Sequence, residues 1–193
     1  GCTEPIALAY AAAVARKTLG VLPDKVEVAA SGSIIKNVKS VIVPHTGHLK
    51  GIPAAAAAGI VAGDAEKKLE VISYVKEEQV EEIKQFLEQT PITVEHLESG
   101  ITFDVEVTVH AGADSAKVRI ANYHTNIVRI EKNGEILENI PVSGEEENNL
   151  TDRSLLDMEY IWEFINTVDV EDVKPILEPQ LRMNMAIAEE GMT

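Results

Sequence analysis

The amino-acid sequence predicts an α+β protein, and three observations carry that prediction. Two alanine-rich runs, one within the first twenty residues and one from Ile52 to Ala62, have the composition of closely packed small-residue helices. Between residues 103 and 137 apolar and polar side chains alternate with the period of half-buried strands. Beyond residue 154, Leu155, Met158, Ile161, Trp162, Ile165 and Val168 recur at helical spacing. The expected architecture is therefore a set of small-residue helices with a short sheet around an N-terminal motif, then a small helix-on-antiparallel-sheet layer, then a helical C-terminal segment.

The elements follow in order. Thr3 or Glu4 is a suitable N-cap for the first helix, Pro5 fits its first turn, and Gly20 suits a left-handed stop. Ile6, Leu8, Tyr10, Val14 and Leu19 fall on more than one face, which predicts a core helix. Lys25 to Ala29 alternates as a strand and runs into Ser31-Gly32, where a backbone can approach a ligand. After the apolar run Val41 to Val43, the segment from Pro44 to Gly51 reads as a loop holding His45 and His48. Ile52 to Ala62, with Gly63 as its stop, is expected to pack on the first helix. Leu69 to Val75 is predicted as a strand, Glu77 to Glu88 as an amphipathic helix through Val80, Ile83 and Leu87, and Ile92 to Glu98 as a strand. Further strands are expected through Phe103, Val105, Val107 and Val109, at Lys117 to Ala121 and at Ile127 to Glu131, closed by an Asn133-Gly134 hairpin and a return at Glu135 to Leu137. Ser154 and Asp157 open the next helix, and Asp169 caps another that Pro175 and Pro179 should interrupt. The predicted divisions are 1–66, 67–140, an acidic linker at 141–153, and 154–193 as the start of a truncated catalytic region.

Composition narrows the function. With 17 basic and 32 acidic residues the net charge of −15 repels phosphate backbones and anionic lipid, so nucleic acid and membrane are not expected partners. Aromatic residues make up 4%, too few for base stacking to be a theme. No apolar run is long enough to span a bilayer, and a single cysteine allows no internal disulfide, which fits a cytoplasmic setting. The absence of an initial Met and the stop directly after a helical run suggest that both ends are cut.

Several residues stand out chemically. Cys2 precedes a helix start, where backbone N–H groups lower a thiol's pKa, although a lone cysteine is commonly a small buried hydrophobe. The polar trio His124-Thr125-Asn126 interrupts two apolar strands and either faces a cleft or simply makes a turn. His45 and His48 are expected to be exposed loop residues, and His96 and His110 surface or satisfied sheet residues.

Three stretches, in order, resemble one family: Gly1-Cys2-Thr3-Glu4-Pro5, Ser31-Gly32-Ser33-Ile34-Ile35-Lys36-Asn37, and His124-Thr125-Asn126-Ile127. They are similar to motifs of the iron–sulfur L-cysteine desulfidase and L-serine dehydratase alpha-chain-like family, with the chain matching its N-terminal half. The resemblance implies a [4Fe–4S] cluster with Cys2 as one ligand and two further cysteines beyond Thr193, and no pyridoxal phosphate. It implies a small amino-acid substrate, held by Thr3, Glu4, Ser31, Gly32, Asn37, Thr125 and Asn126. Lys36 and His124 are the available bases, for β-elimination from L-cysteine or L-serine to pyruvate, ammonia and sulfide or water. The fragment alone is expected to be inactive; self-association, or pairing with the missing C-terminal part, is the protein contact left open. The alternative is a non-catalytic amino-acid-binding or assembly domain.

Overall fold

Alanine sets how near two helices can come, and that spacing organises the N-terminal part of the chain. A computed structural model describes residues 3–142 and 156–192. It is an α+β protein that divides into two units, Gly1–Glu146 and Glu147–Thr193. The boundary falls inside the predicted acidic linker, most of which lies outside the described residues.

In the first unit, helix α1 (Glu4–Leu19) is buried nearly all round, through Ala7, Leu8, Ala9, Tyr10, Ala11, Ala12, Ala13, Ala15 and Leu19. Gly20 ends it with φ of 91°, donating its N–H to the Arg16 carbonyl, as a left-handed stop should. Helix α3 (Gly51–Ala62) buries all five of its consecutive alanines and packs on α1. At the crossing the backbones nearly touch: a Cβ on Gly59 would lie 2.0 Å from the Ala9 carbonyl oxygen. Gly63 also stops its helix as expected, with φ of −75°.

Strand β1 (Lys25–Ala30) leads into helix α2 (Gly32–Val38), and after α3 the amphipathic helix α4 (Glu77–Gln89) returns the chain to β2 (Ile92–His96). Strands β3 (Asp104–Ala111), β4 (Asp114–Ala121), β5 (Ile127–Lys132) and β6 (Glu135–Asn139) then form a meander. All six strands belong to one sheet in the order β2-β1-β3-β4-β5-β6, with β1 and β2 parallel and the other pairs antiparallel. The division expected at residue 66 is therefore absent: β1 sits between β2 and β3, and α1 lies across β3 and β4. Sequence alternation gives each strand its two faces and says nothing of which strand lies beside it.

Val26, Val28 and Ala30 of β1, Val105, Val107 and Val109 of β3, and Ala116, Val118 and Ile120 of β4 form the buried face. On the opposite face charges are matched across strands: His110 with Glu27 at 2.9 Å, Lys117 with Glu106 at 2.8 Å, and Arg119 with Asp104 at 2.7 Å. Arg119 stands directly opposite Arg129, and each has its own carboxylate, Asp104 and Glu131 respectively. Hydrogen bonds from Lys25 and then His110 hold the Glu27 carboxyl below its usual range.

Two predicted elements are corrected. Leu69 to Val75 is not a strand but the end of a 3-10 helix (Ala65–Glu70), with a turn after it, and Lys68 inside that helix takes φ of 49°. Val71 and Ile72 are buried, so the apolar run packs as a turn rather than joining a ladder. In the second unit, Asp157 accepts from the N–H groups of Glu159 and Tyr160 to cap helix α5 (Met158–Thr167). Asp169 caps α6 (Val170–Glu190), which runs through Pro175 and Pro179 without interruption. Each proline removes one helical N–H, a cost the helix bears without ending there.

A Gly59→Ala substitution gains about 0.5–1 kcal/mol of helix propensity and loses more to overpacking, typically about 1–3 kcal/mol and here against rigid backbone. The clash with backbone puts the loss at the upper end of that range, so chemical denaturation should show net destabilisation of about 2 kcal/mol. The phenol of Tyr10 is raised above its usual 10.0 by burial, with repulsion from Glu66 and Glu138 adding to it. Its contribution to stability is whole below the unfolded value and is lost as pH rises through the higher folded one. Stability of Tyr10→Phe, followed by denaturation at successive pH values, should therefore fall less on the alkaline side than that of the unsubstituted chain.

Candidate functional site

At the carboxyl end of β1 the second predicted motif touches the first, and the start of β3 links both to the third. Ser31 follows the strand directly and is the N-cap residue of α2. It is buried; its N–H donates to the Asp104 carbonyl at 2.9 Å and its hydroxyl donates to the Thr102 carbonyl at 2.7 Å. Those bonds tie the serine motif to the start of β3. With its proton committed, the Ser31 hydroxyl offers a ligand only acceptor lone pairs.

Helix α2, about 10 Å long at 1.5 Å per residue, carries Gly32, Lys36 and Asn37 on exposed positions. Asn37 donates from Nδ2 to Oε1 of Glu4 at 3.2 Å. The first and second motifs are thus in direct contact, across a sequence separation of 33 residues. Glu4 opens α1, where a negative side chain is favoured by the helix dipole. Thr3 is the N-cap residue; its carbonyl accepts from Ile6 and Ala7, and its side chain makes no capping bond. Cys2 lies outside the described residues.

The third motif reaches the same strand end from the other side. His124 is half-buried, its ring centroid 4.4 Å from that of Phe103 at an interplanar angle of 55°. Phe103 lies between Thr102, which Ser31 holds, and Asp104, and its carbonyl accepts from the Asn122 N–H at 2.9 Å. Asn126 donates from Nδ2 to the Ala121 carbonyl at 2.9 Å, the bond of a turn residue. Thr125 is exposed. Lys36 is exposed too, in water rather than in the dry surroundings that suit a lysine base.

Four features were missed from sequence: helix α2, the Phe103 ring beneath His124, and the pair Asp104 and Arg119. Arg119 donates from Nε to Oδ1 of Asp104 at 2.9 Å and from Nη2 to Oδ2 at 2.7 Å, a bidentate fork on a carboxylate whose side chain is 0% exposed. The hydrogen bond to Asp104 raises the Arg119 guanidinium still further above its usual range. Opposite charges at polar positions of two successive strands were the available signal.

Among the described residues no group of three or more His, Cys, Asp or Glu side chains could hold a metal ion. An iron–sulfur cluster is held by several cysteine thiolates, and the chain has one cysteine, so its residues do not fit such a cluster by themselves. Of the histidines set aside from sequence, His45 and His48 are exposed in their loop and His110 is paired with Glu27, whereas His96, exposed and 3.9 Å from Glu98, lies beside Gly32, where an added Cβ would be 3.5 Å from its Nε2.

No family model matches the chain. It is 50% identical over 192 residues to a UPF0597 protein of Desulfitobacterium hafniense (strain Y51). It is 44% identical over 193 residues to a UPF0597 protein of Fusobacterium nucleatum subsp. nucleatum, and 40% identical over 193 residues to one of Treponema denticola. Each match takes in the whole chain and 45% of the relative, so the chain spans about half the length of the curated relatives it matches. These relatives correct the resemblance drawn from the three motifs: the similar proteins carry the name UPF0597, and nothing among them points to the iron–sulfur desulfidase and dehydratase family. Short words such as GCTEP specify a helix start and its neighbours, which different families can share.

The Glu4 to Asn37 bond joins a half-buried group to an exposed one and should contribute no more than about 1 kcal/mol to stability. Urea denaturation of Asn37→Ala is expected to show a loss within that limit, leaving the fold intact for binding measurements.

Proposed function

We propose that the carboxyl end of β1 is one wall of a binding site for a small amino acid, in a longer enzyme that eliminates a β-substituent from it. The observation that carries this proposal is the Asn37 to Glu4 hydrogen bond, which places the first two motifs side by side at the N-terminus of a buried helix. In this proposal the start of α1 receives the substrate carboxylate and Glu4, oriented by Asn37, receives the ammonium group. His124, backed by the Phe103 ring, removes the α-proton as the β-substituent departs as sulfide or water. The enamine left behind hydrolyses to pyruvate and ammonia. L-Cysteine and L-serine are the substrates that suit these products, and a cytoplasmic setting belongs to the same proposal.

No step is assigned to a cluster; iron and acid-labile sulfide analysis of the intact, longer protein decides whether Cys2 serves one. Among the described residues no helix is long and apolar enough to cross a membrane.

A second proposal, non-catalytic amino-acid binding, is favoured by the commitment of Ser31 and Asn126 to backbone carbonyls. The intact protein, purified without oxygen, separates the two. Pyruvate release from L-cysteine or L-serine is expected, with kcat/KM lowered about 100-fold by Glu4→Gln and by His124→Ala. Calorimetric binding of either amino acid with no pyruvate from both supports the second proposal and contradicts the first.

A further inference from the structure

The start of β3 holds more than its share of the candidate site. Within three consecutive residues, Thr102 accepts from the Ser31 hydroxyl, Phe103 packs its ring at a tilt against His124 and accepts from the Asn122 N–H, and Asp104 accepts from the Ser31 N–H. Ladder pairing with β1 and β4 begins only at residues 104 and 105, so Thr102 and Phe103 lie at an end that would ordinarily fray. Beside those backbone bonds, one side chain anchors the end: Asp104, fully buried and gripped by both arms of the Arg119 fork.

From this geometry we infer that Asp104 and Arg119 form a positioning clip, which sets Ser31 and His124 in place for the site proposed above. Neither member of the clip touches a reacting group. Its chemistry accounts for the choice of residues: a buried carboxylate needs a charged, two-pronged donor, and a lysine would satisfy only one oxygen at a time. The other ion pair that joins β3 to β4, Glu106 with Lys117, has its acid 22% exposed and lies away from the strand end. It makes a control on the same two strands.

Amide exchange and imidazole proton shifts, measured by NMR on the chain, test the clip. Arg119→Lys should speed exchange at the Ser31 N–H about tenfold and shift the His124 ring protons as the Phe103 ring moves, while amides in α3 such as Ala56 keep their rates. Lys117→Met should leave Ser31 and His124 unchanged. Unchanged Ser31 and His124 in Arg119→Lys would overturn the inference. So would acceleration shared equally with α3, including outright loss of folding, or an effect of Lys117→Met as large as that of Arg119→Lys. Titration of the unsubstituted intact protein with L-serine tests the binding proposal separately. Absence of shifts at Glu4 and His124 defeats that proposal, whereas the clip is decided by the exchange data alone.

Discussion

The contact between Gly59 and the Ala9 carbonyl is the constraint on which the first unit rests. Where the facing residues are glycine and alanine, as Gly59 and Gly63 are against Ala9 and Ala13, two helices can approach until their backbones meet, and then neither can slide without opening a gap. Fixing α1 against α3 leaves its other sides for the sheet, where Val105, Val107, Val118 and Ile120 supply the apolar surface that alanine does not. The start of α1 is thereby held over one end of the sheet. The candidate site follows from that placement, since Glu4 meets Asn37 only if α1 and α2 are both pinned.

The two faces of the sheet do different work. One is dry and sets the position of α1; the other is an array of matched charges, in which Arg119 and Arg129 can stand opposite one another because each has its own carboxylate. Only one of those pairs includes a side chain removed entirely from solvent. A buried ion pair is weak support for stability as such, because desolvation offsets much of the attraction. It does enforce geometry, and Asp104 lies where geometry matters, beside the residues that hold Ser31 and His124.

Much of this architecture could be read from the amino acids. The helix periodicity of residues 77–88, the alternation after residue 103, the two alanine runs and the Asn133-Gly134 hairpin each reflect local physics, and each corresponds to an element observed. Sheet order was not legible, because β1 finds its partners β2 and β3 more than sixty residues away and alternation is blind to partners. Leu69 to Val75 looked like a strand since apolar content alone does not distinguish a ladder from a packed turn. Helix α2 was hidden by its Ser-Gly opening, which suggests a loop although serine is also a good N-cap residue. Of the site, the pairing of the first two motifs rested on a resemblance that the UPF0597 relatives do not support, yet the contact between Glu4 and Asn37 exists independently of any family. Lys36 is a candidate by its chemistry and Thr125 by the resemblance, and exposure weakens both.

A shared location for Glu4, Asn37, Ser31 and His124 is the central claim, and a crystal structure of the intact protein with a non-eliminating analogue of serine tests it most directly. The account predicts the analogue at the carboxyl end of β1, with its ammonium group within hydrogen-bond distance of Glu4 and its α-carbon facing His124. An analogue bound on the charged face of the sheet, or in contact with none of these four residues, would contradict it.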